Sequence, residues 1–164
     1  MDRDYTDAQP FPDQVTMRPI AIVRAPYTER HGTPRQPGFG EGSPSSIELL
    51  SELDEALLKD LDAFSHVWVL SYMHLNGPRL NPLVRPPRGG VKRGVLSTRA
   101  PHRPNPIALS CVKILAVHGR RVTVEGLDLI DGTPILDLKP YIPDFDAIPE
   151  ASRGWLEGLP PHRD

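Results

Sequence analysis

Residues Thr98–Leu109 read Thr-Arg-Ala-Pro-His-Arg-Pro-Asn-Pro-Ile-Ala-Leu, and no other stretch restricts the folding of this chain as much. Each proline fixes its own φ, lacks an N–H, and pushes the residue before it towards extended geometry. Ala100, Arg103 and Asn105 each stand before a proline. The segment is therefore expected to be a stiff, extended ribbon and not a helix. Such a ribbon donates few ladder hydrogen bonds and makes a poor central strand. It does hold Arg99, His102, Arg103 and Asn105 in set directions at small entropic cost. A proline-rich surface loop is the plainer reading, and composition alone favours it.

Twenty prolines and thirteen glycines in 164 residues are more than a helical bundle tolerates. The chain should be rich in turns and short strands, and its length suits one domain with a real core. Cys111 is the only cysteine, so no internal disulfide forms. It lies in the apolar run Ala108–Val117, where burial as a small hydrophobe is favoured over catalysis. No basic-then-apolar leader opens the sequence, and no apolar run approaches membrane-spanning length. The expectation is a cytoplasmic protein with no membrane partner. No CxxC, HExxH or clustered His/Cys spacing occurs, and a metal site is not expected.

A net charge of −2 conceals a strong asymmetry. From Ala63 to Val124 there is no Asp or Glu, yet ten of the nineteen Lys and Arg residues fall there. They include Arg79, Arg85, Arg88, Lys92, Arg93, Arg99, Arg103, Lys113, Arg120 and Arg121. Charge runs usually mark a solvated face. A zone this long without a carboxylate suits a polyanionic partner, with RNA or nucleotide phosphates the obvious class.

Strands are expected at Pro19–Arg24, Ser65–His74, Val91–Ser97, Ile107–Val117, Arg121–Leu129 and Pro134–Leu138, with Gly119 turning a hairpin. Leucine spacing over Ile47–Leu61 predicts a short amphipathic helix in its second half, although Ile47-Glu48-Leu49 also reads as strand. Gly77–Gly90 reads as a basic loop, and Ala151–Glu157 as a last helical turn. The fold class is mainly β: a small six-stranded β-barrel-like domain with a few short helices, and not a Rossmann fold. Residues 1–16 read as a flexible arm and 17–164 as a single domain.

Several motifs resemble the TsaA-like (TrmO/YaeB-like) family of S-adenosylmethionine-dependent tRNA methyltransferases. They are Pro34-Arg-Gln-Pro-Gly38, Phe64-Ser-His-Val-Trp68 with His74 after it, and Arg85-Pro-Pro-Arg88. Gly94-Val-Leu-Ser-Thr-Arg99 and Arg103-Pro-Asn-Pro-Ile-Ala-Leu-Ser110 follow. Leu127-Asp-Leu-Ile-Asp-Gly-Thr-Pro134 and Asp137-Leu-Lys-Pro-Tyr-Ile-Pro143 complete the set, in the family's order and spacing. The resemblance implies a homodimeric β-barrel that methylates the N6 nitrogen of threonylcarbamoyladenosine next to the tRNA anticodon, using S-adenosylmethionine. It places the methyl donor against Pro37, Gly38, Phe39, His74, Leu75, Arg99, Leu109, Glu125, Gly126, Leu127 and Asp128. The resemblance also implies a C-terminal domain in the full-length bacterial forms, and this sequence is expected to lack it.

The residues themselves are compatible with that chemistry. Asp128 and Asp131 flank a turn, where each suits either a ribose hydroxyl or ammonium, or a capping role. His74 closes an apolar strand and by itself reads as an edge residue. The carbamoyl-bearing nitrogen must lose a proton; Asp128, Asp131 and Tyr141 are the catalytic candidates, with His102 a further one. Arg85, Arg88, Lys92, Arg93, Arg103 and Asn105 are the candidate RNA contacts, arginine being suited to bidentate contact with carboxylate or phosphate. Two other readings stand beside this one: a same-fold methyltransferase for another small or nucleotide acceptor, and a non-catalytic module binding S-adenosylmethionine or RNA.

Overall fold

Alternation of apolar and polar residues builds the wall of the molecule, because successive side chains of a strand point to opposite faces. In the computed structural model, which describes residues 12–29, 31–34, 36–37, 44–77 and 80–160, six strands carry that pattern. β1 (Ala21–Arg24) turns Ala21 and Val23 inward, and β2 (Ser45–Leu49) turns Ser45, Ile47 and Leu49 inward. β3 (His66–Tyr72) buries Val67, Val69 and Ser71. A separate two-stranded ribbon, β4 (Leu83–Val84) with β5 (Arg93–Gly94), lies outside the barrel sheet. β6 (Ile107–His118), β7 (Arg121–Glu125) and β8 (Pro134–Pro140) complete the wall.

The barrel closes in the order β1-β2-β7-β6-β3-β8, and every neighbouring pair is antiparallel. Its interior is filled by Val23, Ile47, Val67, Val69, Val112, Val122, Val124, Leu127 and Ile135. A barrel of this size has no room for a central channel, so these side chains form a solid core. The expected six-stranded, mainly β barrel is what the chain forms. β6 and β7 join through a two-residue turn in which Gly119 has φ 55, a left-handed conformation glycine takes without a Cβ penalty. Beside it, the Arg120 guanidinium donates to the carbonyls of Leu50 and Leu53 and ties the hairpin tip to the exit of β2.

Two expected elements differ. The helix expected in the second half of Ile47–Leu61 is a pair of 3-10 turns, Glu55–Leu58 and Leu61–Ala63, preceded by β2. Asp54 starts the first turn by accepting the Ala56 N–H at 2.9 Å, but Asp60, with φ 63, breaks the path. Leu53, Leu58 and Leu61 still pack on the core, which explains the spacing without a helix. The strand expected over Val91–Ser97 is paired only at Arg93–Gly94 and then tightens into a 3-10 turn, Val95–Ser97. Its sole partner is the two-residue β4, so no longer ladder forms. After β8 the chain makes one turn of helix, α1 (Pro143–Asp146), and later a 3-10 turn at Gly154–Leu156. The Gly77–Gly90 segment expected as loop contains β4.

Candidate functional site

The proline ribbon emerges from the Val95–Ser97 turn and bends at Pro101 and again through Arg103–Asn105. It is therefore braced and not straight. Prolines remove backbone donors, and side chains supply them in their place. Arg103 Nη1 reaches back to the carbonyls of Thr98 (3.0 Å) and Ala100 (3.3 Å). Thr98 Oγ1 donates to Val95 O and accepts from the Ala100 N–H. The chain leaving β3 grips the other end: Met73 N–H donates to Pro106 O at 2.8 Å, and Asn76 Nδ2 to Pro101 O at 3.4 Å. This brings the exposed His74 and Leu75 beside the ribbon.

The ribbon's first arginine meets two other candidate segments. Arg99 Nη1 donates to Gln36 Oε1 at 3.3 Å, next to Pro37. Its positive charge also acts on Asp128. Asp128 follows Gly126, whose φ of 82 lets the chain leave β7 and run on beside β6. There the buried Ser110 hydroxyl donates to Asp128 Oδ1 at 2.5 Å. Burial pushes the Asp128 carboxyl above the ordinary carboxylate range, against the Ser110 hydrogen bond and the pull of Arg99. Gln36 thus ties Arg99 to the Pro37 segment, and Ser110 ties β6 to the Gly126–Asp128 segment. Those two linkers were not among the expected site residues. For Ser110 a signal was present: it interrupts an otherwise apolar set of inward positions on β6, between Ala108 and Val112.

Other candidates lie elsewhere. Glu125 pairs with Lys113 at 3.8 Å, and Lys113 is on the outer face of β6, away from the buried Ser110. Leu109 is also outward and exposed. Asp131 caps the end of β1: its Oδ1 accepts the Ala25 N–H at 3.0 Å while its own N–H donates to Tyr27 O. Tyr141 stacks on the outer face of β3, its ring 5.7 Å from Trp68 and 6.2 Å from His66. It does not converge with Asp128. Cys111, paired in register with Trp68, is half-buried, and desolvation with Asp146 nearby pushes its thiol up. Gly38 and Phe39 lie outside the described residues, as does Arg79.

Of the candidate RNA contacts, Arg85, Arg88, Lys92 and Arg93 fall on or between β4 and β5, while Arg103 and Asn105 lie on the ribbon. Arg85 Nη1 closes the loop between the two strands by donating to Gly90 O at 2.6 Å. Among the described residues no group of three His, Cys, Asp or Glu side chains is arranged to hold a metal ion. No helix among them is long and apolar enough to cross a membrane.

Residues 22–147 match the model of the tRNA-methyltransferase O N-terminal domain. The chain belongs to that family. An Escherichia coli tRNA (adenine(37)-N6)-methyltransferase is 39% identical over 150 residues, covering 86% of this chain and 63% of its own length. The mouse protein of the same name is 44% identical over 135 residues, covering 79% of this chain and 31% of the relative. The crystal structure of TrmO from Pseudomonas aeruginosa superposes with a TM-score of 0.75 at 36% identity, over 90% of this chain and 65% of that one. The chain thus spans just under two thirds of the bacterial relatives it matches. The family match takes in β1 through α1, including the ribbon, Ser110 and Asp128, and stops before the turn at Gly154–Leu156.

Proposed function

We propose that this protein is an S-adenosylmethionine-dependent methyltransferase that acts on the N6 nitrogen of threonylcarbamoyladenosine next to the tRNA anticodon. The observation that carries this reading is the junction at Arg99. Arg99, on the proline ribbon, is bonded to Gln36 beside Pro37, and its charge acts to lower the pKa of Asp128, which Ser110 holds. The names borne by the E. coli and mouse relatives support the reaction class. A tRNA substrate fits the basic β4–β5 ribbon, and with it a cytoplasmic location.

The residues fit the donor. S-adenosylmethionine, when bound, supplies an electrophilic methyl group on a sulfonium. Its hydroxyls and ammonium need acceptors, and Asp128 offers a half-buried carboxyl with one oxygen already held by Ser110. Its carboxylate needs a cation, which Arg99 supplies; Gly126 and Leu127 give a close backbone wall, and Pro37, His74 and Leu75 flank the site. Gly38 and Phe39 complete the donor set on the family motif, whereas Glu125 and Leu109 face the outside of the barrel. Arg103 and Asn105 orient the acceptor base, and Arg85, Arg88, Lys92 and Arg93 neutralise phosphates. Of the four proton acceptors considered, we favour Asp128 over Asp131, Tyr141 and His102. It is half-buried and held by Ser110, and a raised carboxyl pKa makes a better base. Most of the acceleration comes from holding two substrates in line. We take the protein to act as a homodimer, because Tyr72, Leu109, Leu115 and Phe145 leave the outer face around β3, β6 and α1 apolar and exposed.

Incubation with S-adenosylmethionine and bulk tRNA, then digestion to nucleosides and mass spectrometry, is expected to show threonylcarbamoyladenosine one methyl heavier. Methylation of a different nucleoside, or of none, overturns the reading. In the same assay Arg103→Ala should retain donor binding and lose about 100-fold in kcat/KM, the scale of a misplaced reactant. Normal methyl transfer by that variant would remove Arg103 from the site.

A further inference from the structure

The β4–β5 ribbon carries four of the candidate RNA contacts but has little structure of its own. Only two residue pairs join its strands, and it shares no ladder with the barrel. Isolated two-stranded ribbons of this kind are marginal in water. Something else must hold it, and the chain after α1 does so.

Trp155 Nε1–H donates to Ser97 O at 2.8 Å, at the point where β5's following turn becomes the proline ribbon. The Arg93 guanidinium lies 5.3 Å from the centre of the Trp155 ring, a cation–π pair. At the loop between the strands, Gly89 (φ 81) turns so close to the C-terminal segment that a Cβ there would sit 3.5 Å from Leu159 Cδ1 and 3.9 Å from Trp155 Cζ3. The segment is closed on itself. Gly154 turns it with φ 55, Glu157 Oε1 accepts the Arg153 N–H at 2.8 Å, and Leu159 N–H donates to Leu156 O. One short piece of chain therefore touches the basic ribbon at its strand, at its tip and at its junction with the site.

We propose that Arg153–Leu159 is a strap that sets the position of the basic ribbon, and that Trp155 is a positioning residue for the RNA substrate. This rests on the RNA reading above and extends it to a segment beyond the family match. The Arg93 guanidinium is held over the ring, so its N–H groups are presented to a phosphate from a fixed base. An RNA strand lying on the ribbon then meets cations already in place, and the ordering cost is met in the folded protein and not on binding.

The test compares Trp155→Ala and Trp155→Phe in the full chain. Hydrogen exchange of amides in residues 83–97 is read beside calorimetry with S-adenosylmethionine and methyl-transfer kinetics on bulk tRNA. Trp155→Ala is expected to speed exchange across 83–97 by about 10-fold and raise the KM for tRNA by a similar factor, the scale of one lost hydrogen bond. Donor affinity and kcat stay within about twofold. Trp155→Phe, which keeps a ring under Arg93 but loses the N–H, should fall between. Unchanged exchange overturns the strap. Faster exchange with an unchanged KM overturns its service to RNA, and a parallel loss of donor affinity and thermal stability reduces Trp155 to a general structural role. Should the wild type not act on tRNA at all, the functional reading fails, while the exchange measurement still decides the strap.

Discussion

At pH 7, Asp128→Asn is expected to melt at a higher temperature than the natural protein and to bind S-adenosylmethionine about 2- to 30-fold more weakly. Both effects come from one carboxyl. Burial disfavours its charged form, and neither the Ser110 hydroxyl nor the Arg99 charge restores the ordinary pKa. A carboxyl whose pKa is higher folded than unfolded binds its proton more tightly in the native state. Its contribution to stability is therefore greatest below the ordinary carboxylate range, and is lost as pH rises through the folded-state pKa. Asparagine has no proton to lose, yet its Oδ1 still accepts from Ser110. The variant's advantage should be largest at neutral pH and vanish towards pH 4, which thermal melts across that range will read. Donor affinity moves the other way, because a hydrogen bond to a charged acceptor is worth about 1.5–3 kcal/mol against about 1 for a neutral one. Calorimetry measures it. An unchanged dissociation constant would remove Asp128 from the donor site, and a lower melting point at pH 7 would show that its burial is not a cost.

Ile135→Ala is expected to cost about 2–5 kcal/mol, a large share of the roughly 5–15 kcal/mol that holds a domain together. Ile135 is 0% exposed and lies in β8 opposite both Ala21 of β1 and Ser71 of β3. Its carbonyl accepts the Ile20 N–H at 2.8 Å. An open sheet can shift a strand to shrink a cavity. A closed barrel cannot, because each strand is bonded on both sides. Denaturant unfolding should show the midpoint move with little change in slope, and a loss below about 1 kcal/mol would mean that the wall does collapse inward. Leu57→Ala is the matched comparison. Leu57 belongs to the leucine spacing that reads as helix, but it is 66% exposed, and its loss should stay within about 0.5 kcal/mol.

The contrast between Ile135 and Leu57 marks what sequence periodicity can convey. Alternation identified β1, β3, β6, β7 and β8, because a strand of this barrel needs only every second residue to be apolar. The leucines at 53, 58 and 61 face the core in 3-10 turns much as they would in a helix, so spacing could not separate the two. At the site, Arg99, Gly126 and Asp128 were legible from their motifs. Gln36 and Ser110 stand within the motifs but were not singled out, and Trp155 stands outside them. Ser110 meets Asp128 across 18 residues, Trp155 meets Ser97 across 58, and Arg99 meets Gln36 across 63.

By itself the sequence determined five of the six barrel strands, the non-helical proline segment, the carboxylate-free basic zone and the family resemblance. These follow from φ restriction, side-chain alternation and local motif spacing, all of which act between near neighbours. Only the tertiary structure decided which strands close the barrel, that Asp131 caps while Asp128 is buried beside a cation, and that the C-terminal turn grips the basic ribbon. Those outcomes depend on hydrogen bonds and desolvation between residues far apart in the chain, and such contacts leave no period in a sequence.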